Sequence, residues 1–257
     1  MKVTCTVFNP ENPGSIYVGT NEHVTIWIDG VPSGFTYTDG IYKSLNGGNL
    51  WEKIFFFDGE QNRRLDYVKY IIIDPTDTTK MYIGGKNDSY FTSIGCKFTS
   101  HNSGKSWTTN RLTTISSQSV MAMACTPKDY ESHRVCSIVG SGSARRFFLS
   151  YDYGITWQEF NEPSSFDFNG NLRDNAIYIS ADFPKWIQIG AEYIYEDKYA
   201  SAVAFNIEDE KWYYYPEIRF NYPTSILSNY EVDYLGFRYD GVYKYSMTDD
   251  TWYPKQY

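Results

Sequence analysis

Four arginines, Arg63, Arg64, Arg111 and Arg173, together with Tyr37, Tyr90, Tyr195 and Asp240, are the residues best suited to hold an anionic or sugar ligand. A guanidinium presents a planar fork of N–H donors that matches a carboxylate in two bonds, and a tyrosine offers a ring face to a sugar. A second chemistry is hydrolysis between two carboxylates held several ångströms apart across a bond, with Asp58, Asp66 and Asp240 as candidates. Residue type alone makes neither site. The chain holds 25 Tyr, so tyrosine falls in most loops, and exposed carboxylates are commonly only solvated. Other chemistries lack their partners: His23, His101 and His133 are isolated, and no glycine motif that cradles phosphate is present. Cys5, Cys96, Cys125 and Cys136 are too scattered for a disulfide framework or a zinc site and read as buried small hydrophobes. No cofactor and no metal is expected.

The elements that would position these residues come from a repeat. An apolar strand, a turn often holding Pro, a second strand and a Gly recur five times, at 3–19, 68–84, 120–140, 176–190 and 226–236. Asn9-Pro10, Asp74-Pro75 and Thr126-Pro127 hold the same place in three copies, where Pro presets a turn and cannot continue a ladder. Each copy is followed by a phrase ending in Trp51, Trp107, Trp157, Trp212 or Trp252, at intervals of 40 to 56 residues. Such a period fits one four-stranded unit, and no segment sustains the 3.6-residue periodicity of a helix. The reading is an all-β fold, a single β-propeller over residues 1–257 with five four-stranded blades at about 1–60, 65–112, 118–162, 174–218 and 224–257. A ring of six blades is the alternative.

The Trp phrases carry a family resemblance. Ser150-Tyr151-Asp152-Tyr153-Gly154-Ile155-Thr156-Trp157 resembles the Asp-box (BNR) signature Ser-x-Asp-x-Gly-x-Thr-Trp. Ser44, Asn46, Gly48 and Trp51 repeat it with Asn for Asp and Leu50 for Thr; Ser100, Asn102, Gly104 and Trp107 repeat it with Asn for Asp and Ser106 for Thr. The last two phrases, ending at Trp212 and Trp252, depart from it and are more similar to kelch-type turns. The physics of the box is structural: a short carboxylate or amide bonds back to turn amides, Gly accepts left-handed backbone, and Trp packs between sheets. Asp152, Asn46 and Asn102 are therefore expected to be turn residues and not catalytic ones.

The resemblance also implies a face for function. In such blades the D-to-A and B-to-C connections share one side, and loops of that kind carry sites. They fall here at 57–64, 110–111, 166–168 with Arg173, and 219–222, and at 34–37, 87–90, 145–146, 193–197 and 239–240. Sialidases of this family use an arginine triad, a Tyr with a Glu partner and an Asp, but the arginine phrase expected early in the first blade is missing from 1–8. Xyloglucanase-like relatives, similar in the phrases 12–19 and 40–44, place two carboxylates between two propellers, and this length holds one.

Composition narrows the classes further. An aromatic share of 19% supplies a core and favours strands. A formal charge of -8 disfavours nucleic acid, whose binding rests on clustered Lys and Arg. No apolar run reaches the roughly 18 residues of a membrane span, and the N-terminus lacks an export signal, which suits a cytoplasmic or virion setting. The expectation is a non-enzymatic interaction or assembly propeller with protein partners, such as a structural component of a virus or phage particle or tail. The alternative is a carbohydrate-binding or glycoside-hydrolysing propeller; a glycan is the other partner considered.

Overall fold

Short runs of β-branched and aromatic residues, separated by Asn, Asp, Gly and Pro, give strands throughout and no helix among the described residues. The computed structural model describes residues 2–21, 23–37, 40–55, 67–86, 96–111, 119–126, 133–141, 144–160, 177–179, 186–195, 198–214, 223–229, 232–237, 241–246 and 251–254. These form five four-stranded antiparallel sheets in which each strand pairs with the next in the sheet. The first sheet contains β1 (Lys2–Phe8), β2 (Ile16–Asn21), β5 (Gly40–Ser44) and β6 (Glu52–Phe55), with a separate hairpin, β3 (His23–Ile28) and β4 (Val31–Tyr37), inserted after β2. The second holds β7 (Tyr67–Ile73), β8 (Met81–Lys86), β9 (Cys96–Ser100) and β10 (Thr108–Arg111). The third holds β11 (Ser119–Cys125), β12 (Val135–Ser141), β13 (Ala144–Ser150) and β14 (Gln158–Phe160). The fourth is β15 (Ile177–Ile179), β16 (Trp186–Tyr195), β17 (Lys198–Asn206) and β18 (Lys211–Tyr214); the fifth is β19 (Pro223–Asn229), β20 (Val232–Phe237), β21 (Gly241–Ser246) and β22 (Thr251–Pro254).

The residue ahead of each turn proline closes its hairpin. Asn9, Asp74 and Thr126 donate their amides to the carbonyls of Ser15, Lys80 and Arg134 at 2.9, 3.0 and 2.9 Å. Their side chains then tie the turn: Asn9 Oδ1 accepts from the Glu11 amide, Asp74 Oδ1 from the Thr76 amide and hydroxyl, and Thr126 Oγ1 from the Arg134 amide. These are the short polar side chains that mimic a backbone turn.

The chain divides into two compact units, Met1–Val120 and Met121–Tyr257. In the first unit, the core lies between the first two sheets, with Tyr17, Ile41, Met81 and Ile83 fully buried. The sheets approach closely because Gly19 has no Cβ: one placed there would fall 2.6 Å from Val68 Cγ1 and 2.7 Å from Cys5 Sγ. The Thr4 hydroxyl donates to the Val68 carbonyl across the same gap. In the second unit, the core between the third and fourth sheets is aromatic: Phe205 packs on Phe160 at 4.9 Å, Phe147 at 5.2 Å and Trp212 at 4.9 Å between ring centroids. Each such side chain contributes about 1.5–3 kcal/mol by leaving water.

Four segments read from sequence as loops are strand, the first being Asn110 and Arg111, which end β10 by pairing with Lys97 and Cys96. Gly34–Tyr37 lies in β4, Arg145 and Arg146 lie in β13, and Tyr193–Tyr195 extends β16 to within two residues of β17. Ladder pairing explains each, because Val139 and Gly140 pair with Arg146 and Arg145, and Tyr195 pairs with Lys198. Cys136 is buried as expected, whereas Cys5 and Cys125 are only half-buried.

Candidate functional site

Three turns between the third and fourth strands of their sheets share one hydrogen-bond pattern. In the third sheet, Ser150 Oγ accepts from the Gly154 amide at 2.8 Å and donates to Asp152 Oδ1 at 2.8 Å. Asp152 Oδ1 accepts the Thr156 amide at 2.8 Å, and Oδ2 accepts the Thr156 hydroxyl at 2.6 Å. Trp157 Nε1 closes the turn on the Gly154 carbonyl at 2.9 Å. In the second sheet, Ser100 bonds Gly104 and Asn102, and Asn102 Oδ1 accepts the Ser106 amide at 2.8 Å. The remaining bond is reversed there, since Asn102 Nδ2 donates to Ser106 Oγ at 2.7 Å. In the first sheet, Ser44 bonds Gly48 and Asn46, and Asn46 Oδ1 accepts the Leu50 amide at 2.9 Å.

The backbone explains the residue choice. The fourth and fifth positions of each turn are left-handed: Gly47 and Gly48, Ser103 and Gly104, Tyr153 and Gly154 have φ between 58° and 92°. Glycine tolerates that region best. Although burial raises it, the Asp152 carboxyl sits below the usual aspartate range because the Thr156 hydroxyl and amide, the Ser150 hydroxyl and the Ile155 amide all donate to it. These bonds tie the Asp152 carboxylate into its own turn.

The fourth sheet makes a different turn. Asn206 Oδ1 accepts the amides of Glu208 and Asp209, Glu210 takes φ 54°, and the Tyr213 hydroxyl donates to Asp209 Oδ2 at 2.5 Å. That bond raises the Tyr213 phenol above its usual range. Beside the third-sheet turn, His133 stacks on Tyr153 at 4.2 Å and Arg134 lies over Tyr151 at 5.9 Å.

The residues proposed from sequence as a ligand face are placed only in part. Arg63, Arg64, Arg173, Tyr90 and Asp240 lie outside the described residues, as do Asp58 and Asp66. Tyr37 ends β4, Arg111 ends β10 and Tyr195 ends β16, so their backbones are strand termini. Among the described residues no group of three or more His, Cys, Asp or Glu is arranged to hold a metal ion. No helix of the described residues is long and apolar enough to cross a membrane.

The element that sequence reading missed is the β3–β4 hairpin. Its tip, Ile28-Asp29-Gly30-Val31, turns through left-handed Asp29 and Gly30, at φ 51° and 77°. Two consecutive left-handed residues make the type I′ turn whose twist suits a hairpin, and Asp-Gly between apolar residues was the available signal. Ile28 is 58% and Val31 61% exposed, and none of the described residues approaches the Gly30 Cβ position within 4 Å. The hairpin sits on a closed stub. Thr20 pairs with Gly40, and the Thr20 hydroxyl both donates to the Gly40 carbonyl and accepts the Gly40 amide at 3.2 Å.

No protein-family model matches the chain, and no curated protein matches it. Solved structures do. The GH74 enzyme of Niastella koreensis aligns with a TM-score of 0.62 at 14% identity, over 98% of this chain and 38% of that one. A chain of the nidogen/laminin complex aligns at 0.55 and 12%, over 97% of this chain and 78% of that one, and YCF48 bound to D1 peptide at 0.53 and 12%, over 98% and 81%. The chain thus spans well under half the length of the GH74 enzyme. At these identities the likeness carries the fold alone, which is the all-β architecture of the β-propellers.

Proposed function

We propose that this chain is a non-enzymatic interaction or assembly propeller that engages a protein partner through the face bearing the β3–β4 hairpin. The observation that carries this reading is the hairpin tip, which holds Ile28 and Val31 in water on a type I′ turn. Residues 23–37 contain one Asp and no Lys, Arg or Glu, so the projection is nearly uncharged in a chain of net charge -8. Exposed apolar side chains on a preorganised support favour protein contact, since little entropy is lost when they are covered. The nidogen/laminin complex and YCF48 bound to D1 peptide, both similar in fold, support the same direction. Placement in a virus or phage particle is a finer reading that rests on analogy with other propellers and on a composition rich in Tyr and Asn.

A photo-crosslinking residue at Val31, introduced into the full chain in its native cell extract, tests the proposal. One defined protein adduct is expected, lost when Ile28→Asp removes the neighbouring apolar anchor. Absence of any adduct, or an adduct indifferent to Ile28→Asp, contradicts it. The likeness to GH74 enzymes keeps glycoside hydrolysis as the second reading. Release of reducing ends from xyloglucan by the purified chain would establish that reading and overturn the first.

A further inference from the structure

The first two Trp-phrase turns share their backbone bonds and differ in chemical durability. Asparagine is a labile side chain because the next backbone nitrogen can attack its amide carbon, most readily when a glycine follows and no Cβ stands in the way. Asn46 is followed by Gly47, and both are exposed. Gly47 takes φ 69°, and none of the described residues comes within 4 Å of its Cβ position. Asn46 Oδ1 receives the Ser44 hydroxyl at 3.0 Å and the Leu50 amide at 2.9 Å. Two donors thus sit on the oxygen that gains negative charge when Cγ becomes tetrahedral. The leaving group, Asn46 Nδ2, makes no hydrogen bond among the described residues, since Leu50 stands where the second turn has Ser106. In that second turn Asn102 Nδ2 is held by Ser106 Oγ at 2.7 Å, and the residue that follows is Ser103, whose Cβ crowds the attack.

We infer that Asn46 is a modification site of the folded chain, at which the side-chain amide becomes a carboxylate through a cyclic imide formed with Gly47. The Gly47 nitrogen gives its proton to hydroxide, releasing its bond to the Gly14 carbonyl at 3.0 Å, and bonds to Asn46 Cγ. The Cγ–Nδ2 bond breaks, and the nitrogen takes a proton from water and leaves as ammonia. Water then adds to one imide carbonyl and the ring opens. Aspartate results when the Gly47 nitrogen leaves Cγ, and isoaspartate when it leaves the backbone carbonyl carbon. Water is the only co-reactant. The third turn shows how the aspartate product is held: Asp152 Oδ1 takes the Ser150 hydroxyl and the Thr156 amide, the counterparts of the two donors on Asn46. Isoaspartate inserts an extra backbone atom within the spans Ser44–Gly48 and Asn46–Leu50 and disturbs both bonds. Either product places a negative charge in Ser44–Trp51, a stretch with no ionisable side chain. The inference does not depend on the partner proposed for the hairpin.

Peptide mapping by mass spectrometry of the purified full chain, aged at mildly alkaline pH, tests the inference. The expected result is the mass gain of an amide-to-acid change at Asn46, with aspartate and isoaspartate peptides resolved, proceeding about tenfold or more faster than at Asn102. The rate should rise with pH, because the nucleophile is the deprotonated nitrogen. Asn169-Gly170, the other Asn-Gly pair of the sequence, lies outside the described residues and serves as an internal monitor of the reaction conditions. Gly47→Ala should slow conversion at Asn46 by about tenfold or more, with an unchanged circular dichroism spectrum. The comparison with Asn102 in the parent chain stands on its own if that variant fails to fold. An Asn46 that stays an amide, whether or not Asn169 converts, equal conversion at Asn102, or a rate indifferent to Gly47→Ala would each overturn the inference.

Discussion

The turns Ser44–Trp51 and Ser100–Trp107 are built from the same bonds and differ in what lies beyond them. Both place a serine oxygen under a glycine amide and an asparagine oxygen under the amide four residues on. Gly104 is buried under Ile54, whereas Gly48 is half-buried and, among the described residues, meets only Trp51. One hydrogen-bonded device therefore serves two ends. In the second sheet the turn receives Ile54 and is an internal joint; in the first sheet it carries Leu45 and Leu50 exposed.

Methyl groups added at the two glycines should separate these roles most strongly. Gly104→Ala must bear both a left-handed alanine and the overlap with Ile54, a loss of about 2–4 kcal/mol in urea unfolding. Gly48→Ala carries the backbone cost alone, about 1–2 kcal/mol. Equal losses would mean that Ile54 yields freely and that the joint is not tight. Removal of a shared serine should be less selective. Ser100→Ala and Ser44→Ala each leave turn amides without their acceptor, and each should cost about 1–3 kcal/mol by thermal or urea unfolding. A loss confined to Ser100 would show that the first turn is held by something other than its bonds. The double variant Gly104→Ala/Ile54→Ala refines the comparison: the two changes should couple by about 1 kcal/mol, while Gly48→Ala with Ile54→Ala should be additive.

The third turn adds a charge and therefore a pH dependence. Because the folded Asp152 carboxyl is held below its ordinary value, its contribution is fully present above about pH 4 and is lost as pH falls through the lowered folded value. Asn46 and Asn102 have no such titration. Urea unfolding of Asp152→Asn against the parent chain should therefore show a stability gap near pH 7 that closes below about pH 4. This is the smallest of the expected effects, since Asp152 is only partly shielded from solvent. A gap that widens with acidification would contradict the assignment.

Much of the fold was legible because its signals are local. Asn9-Pro10, Asp74-Pro75 and Thr126-Pro127 mark hairpins whose closing bonds start at the residue before proline. The Ser, Asn or Asp, and Gly of each Trp phrase specify a turn through bonds spanning four residues. What lay outside local reach was read less well. Asp29-Gly30 is a hairpin signal inside a longer connection, and the charged pair Arg145-Arg146 resembles a loop although ladder pairing holds it in β13. That Ile54 of the first sheet reaches Gly104 and Trp107 is set by packing between sheets, and nothing in the Trp phrases encodes that. The arginines proposed as a ligand face gave the weakest signal, because their convergence would depend on connections between sheets and not on any spacing along the chain.

The most direct test of the account replaces residues 22–39 with a two-residue Gly turn joining Asn21 to Gly40, and compares capture of the protein partner with that by the parent chain. Because Thr20 already pairs with Gly40 and closes the stub, the excised chain should unfold at the same temperature within a few degrees while capture is abolished. Undiminished capture by the excised chain would show that the hairpin is not the interaction element and would contradict the proposed function.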